Sequence, residues 1–221
     1  CMRIVAMVLA VCLLFSVYLS VDDLNNDIYV YELEEDFISI KGIKDNNLSG
    51  KIIVPSDIDN VAVKIINPHT FLNTNVEEIV FMEGIEEISS FAISDCVNLK
   101  KVIIPASCKI IGGVSYMPAI EYCDNLETIE IYGEYESLPL FVADCPSLKN
   151  IVFYGDVINI TNEFKYNFYK CEPRVKRVNP RVFTEALDIT IKGKSGSNIE
   201  KFAKENGFNF ISIESENSEW R

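Results

Sequence analysis

One apolar spacing returns four times along the chain: Val76, Ile79, Phe81 and Ile88; Leu99, Val102, Ile104 and Ile111; Leu126, Ile129, Ile131 and Leu138; Leu148, Ile151, Phe153 and Ile160. Each set steps by three, two and seven residues. Cys96, Cys123 and Cys145 stand three residues ahead of the next unit's leucine, and Cys171 closes the last unit. The cysteine intervals are 27, 22 and 26, while the span from first to last aliphatic residue stays at 12. Insertions are therefore confined to one stretch of each unit, which predicts a solenoid with one variable outer face. Residues one, four and six of each Leu-x-x-Ile-x-Ile segment point inward, and only stacking against neighbouring units can cover them. The short strands then lie side by side as a parallel sheet. Cysteine suits the turn between coils, being small and carrying a weak S–H donor that meets a backbone carbonyl. These thiols read as structural, since no Cys-x-x-Cys pair is present, although adjacent ladder positions come close enough to bridge in an oxidising compartment. Cys108 lies outside the ladder and has no evident role, and none is assigned to Cys1.

Composition agrees with a folded chain: 221 residues, 48% hydrophobic and 24% charged, enough to bury a sizeable core in a single domain. Twenty basic against 33 acidic residues give a net charge of −13, which repels phosphate backbones and anionic lipid heads and excludes a general nucleic-acid or membrane-surface binder. From Ile4 to Leu19 the chain is almost entirely apolar, after Arg3 and before Asp22. As a helix that stretch is about 24 Å long, short of the roughly 30 Å of a bilayer core, so residues 1–20 read as a secretory signal peptide, with an uncleaved N-terminal anchor as the alternative. Residues 21–213 are expected to form one repeat domain: a capping hairpin over 28–50, repeats over 51–186 and a C-terminal cap over 187–213, followed by a tail over 214–221.

The units resemble leucine-rich repeats of the BspA-like class, whose repeat runs approximately Leu-x-x-Ile-x-Ile-Pro, a spacer, Ile-Gly, a spacer, Ala-Phe-x-x-Cys. Val102-Ile103-Ile104-Pro105 and Ile111-Gly112 match closely, whereas Ala92-Ile93, Ala119-Ile120 and Phe141-Val142 replace the Ala-Phe pair. Ile52-Ile53-Val54-Pro55, followed by Ile58 and then Ile66 to Phe71, resembles the first coil of that family, preceded by a hairpin-like stretch from Ile28 to Ile43. Ile189-Thr190-Ile191 and the segment Glu200 to Phe210 resemble its closing coil and helix. The resemblance implies an α/β leucine-rich-repeat solenoid of about six coils, with a parallel β-sheet on the concave face, a mostly irregular convex face and a short C-terminal capping helix. Independently, Ser197 with Glu200 is a capping-box signature, Ile199, Phe202 and Ala203 form an apolar stripe, and Gly207 supplies a stop. Phe208 to Ile213 can add a final strand.

Catalytic chemistry has little material. His69 is the only imidazole and reads as a surface residue, so triads and histidine metal sites are not expected. Glu77-Glu78 and Glu86-Glu87 recur at repeat edges and read as solvated. Lys192 to Ser197 lacks the order of a phosphate loop, and Asp57, Asp59 and Asn60 do not complete a calcium loop. The reading is a non-enzyme with no cofactor and no metal.

Two surfaces are candidates for a partner. On the open face of the sheet the fifth positions of the units are Val80, Ile103, Glu130 and Val152, flanked at the seventh by Met82, Pro105, Tyr132 and Tyr154. A row of aliphatic and tyrosine side chains on a rigid sheet offers contact at low entropy cost, although Val and Ile are also simply good strand formers. The secondary candidate is a basic patch of Lys165, Lys170, Arg174, Lys176, Arg177 and Arg181, interleaved with Phe164, Tyr166, Phe168 and Tyr169. It suits an acidic glycan, a protein carboxylate cluster or the chain's own acidic region between Asp22 and Asp36. The expected function is a secreted or cell-surface protein-interaction or adhesion module. The resemblance implies partners on host, matrix or other cell surfaces; the alternative is a structural or carbohydrate-binding accessory domain of the cell envelope. Asn47-Leu48-Ser49 and Asn159-Ile160-Thr161 are glycan acceptors only in a eukaryotic secretory route.

Overall fold

The computed structural model describes residues 26–113, 117–171 and 183–213. The apolar segment Ile4–Leu19 lies outside them. An antiparallel hairpin of β1 (Tyr29–Leu33) and β2 (Ile38–Ile43) comes first. The first coil carries β3 (Ser49–Val54), β4 (Asp57–Ile58), β5 (Val61–Ile66) and β6 (Phe71–Leu72). Next come β7 (Asn75–Phe81), β8 (Glu87–Ile88) and β9 (Ile93–Ser94), then β10 (Lys101–Ile104), β11 (Ile110–Ile111) and β12 (Ile120–Glu121). Strands β13 (Thr128–Ile131) and β14 (Val142–Ala143) form the fourth coil, and β15 (Asn150–Phe153) begins the fifth. The chain ends through β16 (Tyr169–Cys171), β17 (Phe183–Ala186), β18 (Thr190–Gly193), helix α1 (Asn198–Glu205) and β19 (Asn209–Ser212).

The main sheet runs β19-β18-β15-β13-β10-β7-β3, parallel throughout. Two narrower sheets, β1-β2-β5-β8-β11 and β14-β12-β9-β6, follow the side that the sequence leaves mostly irregular. Their strands are mostly two residues long, too short to carry a periodic signal. The segment after α1 adds β19, which brings the main sheet to seven strands where about six coils are expected from sequence.

Register is what the apolar spacing encodes. Ile52, Ile79, Val102, Ile129, Ile151, Ile191 and Phe210 face one another strand by strand, and the first six are buried. Leu99, Leu126 and Leu148 enter their strands through one repeated turn, each amide donating to the carbonyl of Cys96, Cys123 or Cys145 at 3.1 Å. Burying each such aliphatic side chain stabilises the fold by about 1.5–3 kcal/mol.

The cysteines sit as the spacing predicts. Cys96 donates to the Phe71 carbonyl at 2.8 Å, Cys123 to Glu121 at 3.3 Å and Cys145 to Ala143 at 3.3 Å. The residues just before them, Asp95, Tyr122 and Asp144, have left-handed φ between 54 and 57°, the conformation that turns the chain from one coil to the next. Thr74 extends the file to the first coil, 3.2 Å from the Cys96 sulfur. Cys96, Cys108, Cys123 and Cys145 are free thiols. A hydrogen bond from Cys123, supported by Thr74, holds the Cys96 thiol below its ordinary range, whereas bonding to Cys145 and Cys96 together with burial pushes Cys123 well up. Cys108 also has a place: it stands four residues after Ile104, as Ile58, Ile85, Tyr135 and Val157 stand after Val54, Phe81, Ile131 and Phe153. All five are buried, so Cys108 is a member of a second inward ladder.

Helix α1 closes the far end. The Ser197 hydroxyl accepts from the Glu200 amide at 3.1 Å, and the Glu200 carboxylate reaches one residue further back than a standard capping box, to the Gly196 amide at 2.6 Å. Asp156 adds a cap from the fifth coil, accepting from the Asn198 amide at 3.0 Å. Beneath the helix, Phe202 packs on Phe164 at 5.1 Å and on Phe168 at 5.4 Å, and Phe208 packs on Phe168 at 5.2 Å between ring centroids. Phe164 and Phe168 are thus core residues, not members of an exposed aromatic patch, because the solenoid's open end needs apolar cover. Beside them Asn167 stands in for the next strand of the narrow sheet that ends at β14. Its Oδ1 accepts from the Phe141 and Val142 amides at 2.7 and 3.0 Å, and its Nδ2 donates to the Phe164 and Pro139 carbonyls at 2.7 and 3.1 Å.

Replacing Asn167 by Leu strands buried amides at the end of that sheet, and we expect a loss of about 2–5 kcal/mol in urea unfolding. Tyr135→Phe has the opposite sign. Among the described residues its buried hydroxyl has no hydrogen-bond partner, so removal should leave stability unchanged or raise it by about 1 kcal/mol in the same assay. Burial pushes the Cys108 thiol from 9.0 up to about 12, and the Tyr29 and Tyr135 hydroxyls are raised by the same cause. The folded chain holds protons that the unfolded chain releases. Stability is therefore full below about pH 9 and falls as pH climbs towards 12, by roughly 1.4 kcal/mol per pH unit for each such group. Urea unfolding at pH 7, 9 and 10.5 measures this slope, and Cys108→Val should flatten it.

Candidate functional site

The outer face of the main sheet is built by alternation: where Ile79 and Phe81 point inward, Glu78, Val80 and Met82 point outward. Parallel in-register pairing repeats this on every strand, so outward residues form files running across the coils. The central file holds Ile53, Val80, Ile103, Glu130, Val152, Lys192 and Ile211. One flank holds Lys51, Glu78, Lys101, Thr128, Asn150, Thr190 and Asn209. The other flank carries Pro55, Met82, Pro105, Tyr132 and Tyr154.

The structure brings the six sequence-selected face residues together but exposes them unequally. Ile103 and Val152 are only 8% and 6% exposed, since strands under 5 Å apart let the flanking side chains close over them. Val80 is half-buried. Tyr132 and Tyr154 are half-buried too, stacked with ring centroids 4.2 Å apart and planes 10° apart. The Tyr132 hydroxyl donates to Glu130 at 3.4 Å, and Glu130 in turn pairs with Lys101 at 2.8 Å. Burial, then Tyr154 and Glu130 nearby, push the Tyr132 hydroxyl far above its ordinary range, so it is a neutral donor at physiological pH.

Sequence reading placed Glu130 as an isolated charge in an apolar row. The ion pair to Lys101 is set by register, because Lys101 lies one file over and one strand back. Lys51 and Glu78, directly opposite each other in the flank file, pair at 3.3 Å, and Lys100–Glu77 and Lys149–Glu127 add exposed pairs at 2.6 and 2.9 Å. Each exposed pair adds little stability, but the pairs cancel one another and leave Lys192 as the remaining charge of the central file, within a strongly acidic chain. At the first coil the Tyr29 hydroxyl donates to the Ile53 carbonyl at 2.8 Å. That carbonyl points to the open edge of β3, since its neighbour Val54 accepts from the Met82 amide on the other side.

The basic patch is described only in part. Lys165 is half-buried, with its ammonium 5.2 Å from the centre of the Tyr166 ring. Arg174, Lys176, Arg177, Arg181 and the Lys170 side chain lie outside the described residues. His69 is exposed, left-handed at φ 64° and stacked on Phe91 at 6.1 Å. Asp59 and Asn60, at φ 53 and 66°, form the tight turn from β4 to β5, a sufficient reason for their residue types. Among the described residues no group of three or more His, Cys, Asp or Glu side chains is placed to hold a metal ion, and no helix is long and apolar enough to cross a membrane.

Comparison with solved structures finds a leucine-rich repeat protein of T. pallidum, at 15% identity and a TM-score of 0.41, over 62% of this chain and 82% of that one. The pneumococcal vaccine antigen PcpA is similar at 16% identity and a TM-score of 0.44, over 87% of this chain and 50% of that one. The chain thus spans half the length of the pneumococcal antigen. Comparison with curated protein sequences returns no significant match. The family signature of the BspA type leucine rich repeat region matches residues 64–182 in six copies, the stretch that carries the stacked aliphatic and cysteine files. That match covers more than half of the sequence, and the chain belongs to the BspA-type leucine-rich repeat family.

Proposed function

We propose that this chain is a secreted or cell-surface module that binds another protein through the outer face of its main sheet, without catalysis of its own. The observation that carries this reading is the stacked Tyr132–Tyr154 pair, half-buried beside the Glu130–Lys101 ion pair. Such a face is rigid before binding, so little side-chain entropy is lost on contact, and tyrosine offers a large apolar surface with a hydrogen-bonding tip. Membership in a repeat family that mediates protein interactions supports the same reading, and the apolar segment ahead of the repeats supports a secretory route. The domain limits, 21–213 for the repeat body after a leader over 1–20, belong to this proposal. A second reading, a carbohydrate-binding accessory module, draws on the neutral Thr128, Asn150, Thr190 and Asn209 on the flank across the central file from the tyrosines, a file suited to sugar hydroxyls.

The sharpest variants replace the tyrosines rather than the valines, since Val152→Asp buries a charge and perturbs folding. Immobilised wild type and a Tyr132→Ala, Tyr154→Ala double variant are each offered extracellular-matrix and cell-surface proteins, and a glycan array. We expect the double variant to lose tenfold or more in affinity for every captured protein, at about 1–2 kcal/mol per tyrosine. Because most charges of the face are paired within it, binding by wild type should change by less than about threefold between 50 and 300 mM salt. Equal capture by both chains removes the face as the site; a steep salt dependence moves the contact to the basic stretch around Lys165, and retention of glycans alone favours the second reading.

A further inference from the structure

One charge on the outer face is unanswered. Lys192 is half-buried in the central file, with Val152 opposite it on β15 and Ile211 opposite it on β19. Lys51 and Lys101 are met by Glu78 and Glu130, whereas the outward positions around Lys192 hold Asn150, Tyr154, Thr190, Lys194, Asn209 and Ile213, with no carboxylate among them. Glu130 lies two strands away and is already held by Lys101 at 2.8 Å and by the Tyr132 hydroxyl at 3.4 Å. Asp188 stands ahead of β18, in a turn closed by the Ile189 amide on the Leu187 carbonyl at 3.0 Å. Among the described residues no carboxylate comes within ion-pair reach of Lys192. A second donor stands beside it. Thr190 lies two residues back on the same side of β18, and its hydroxyl oxygen accepts from Asn209 Nδ2 at 2.9 Å. Among the described residues the hydroxyl hydrogen has no acceptor, so it is free to donate outward.

We propose that the outer face selects a partner protein by one acidic side chain, whose carboxylate lands between Lys192 and Thr190 on β18. The assignment rests on the outer-face reading given above and names the chemistry of what that face takes. Positions two apart on a strand are separated by about 7 Å, a gap that a carboxylate closes with one oxygen on the lysine ammonium and the other on the threonine hydroxyl. The surroundings favour an acid set among apolar side chains. Ile211, 48% exposed, stands on one side of Lys192, and the stacked Tyr132 and Tyr154 stand on the other. Apolar contacts there keep water from the charge pair and strengthen it. An acidic polysaccharide carries charge along its whole length and meets the repulsion of a chain of net charge −13; a single carboxylate flanked by apolar residues meets far less. One such pair also leaves the salt dependence of binding shallow.

Selection of a random heptapeptide phage library on the full-length chain, in a mild nonionic detergent, tests this. Wild type should enrich peptides with one Asp or Glu beside an apolar residue, against the general preference of an acidic chain for basic peptides. The best peptide is then synthesised with its acid and with the matching amide. The amide form should bind wild type about fivefold more weakly, and on Lys192→Gln the two forms should bind alike. Lys192→Arg, which keeps the charge, should bind as wild type does and so separates loss of charge from loss of fold. Lys192→Glu should enrich Lys or Arg instead. Acid preference that survives Lys192→Gln, with all peptide binding lost in the Tyr132→Ala, Tyr154→Ala variant, overturns this assignment and leaves the outer-face reading standing. Dependence on Lys192 without dependence on the tyrosines keeps the assignment and removes the tyrosine pair from that reading. Three other results overturn the proposal: no enriched peptide; equal competition by a galacturonate hexasaccharide, which gives the site to an acidic glycan; or a gain of about tenfold in peptide affinity on deleting residues 214–221, which gives it to the chain's own Glu214, Glu216 and Glu219.

Discussion

The rest of the structure depends on in-register stacking of aliphatic side chains between coils. No coil can bury Leu126, Ile129 and Ile131 by itself; each becomes buried because Leu99, Val102 and Ile104 lie on one side and Leu148, Ile151 and Phe153 on the other. Every other ladder inherits that register. The thiol file, the left-handed turn residues before it and the cross-coil ion pairs all repeat at coil spacing because the aliphatic files hold the strands level.

A stack of this kind has an end problem that a closed core does not. At the far end, Phe202 and Phe208 cover the last coil while Asn167 supplies the hydrogen bonds that a further strand would have made. At the near end, Tyr29 satisfies the open edge of β3 through its hydroxyl, reaching it from a hairpin whose β1 is, among the described residues, the terminal strand of a neighbouring sheet. The two ends are therefore unequal. One is sealed by a helix and an aromatic cluster, and the other is met by a hairpin of a neighbouring sheet through one buried tyrosine hydroxyl.

The outer face shows how position converts ordinary residues into a contact surface. Lysine and glutamate at repeat edges read from sequence as a solvated fringe. In register they become pairs that cancel one another, so a chain of net charge −13 presents a nearly neutral face around Tyr132 and Tyr154. Any recognition there rests on shape, aromatic contact and hydrogen bonding more than on long-range attraction.

Much of this was legible before any coordinates. The step of three, two and seven identified the inward residues, the cysteine positions located the turns, and Ser197 with Glu200 marked the start of the closing helix, because each is a local signal tied to a fixed backbone geometry. The role of Cys108 was open to the same counting, four residues past Ile104, but its companions Ile85, Tyr135 and Val157 differ too much in type to declare a file. Tertiary structure alone decided the rest. That Phe164 and Phe168 are core, that Asn167 completes a sheet and that Val152 is covered while Tyr154 is not all depend on which residues distant in sequence become neighbours, and the spacing of a single unit carries no information about what stands at the end of the stack or on the strand beside it.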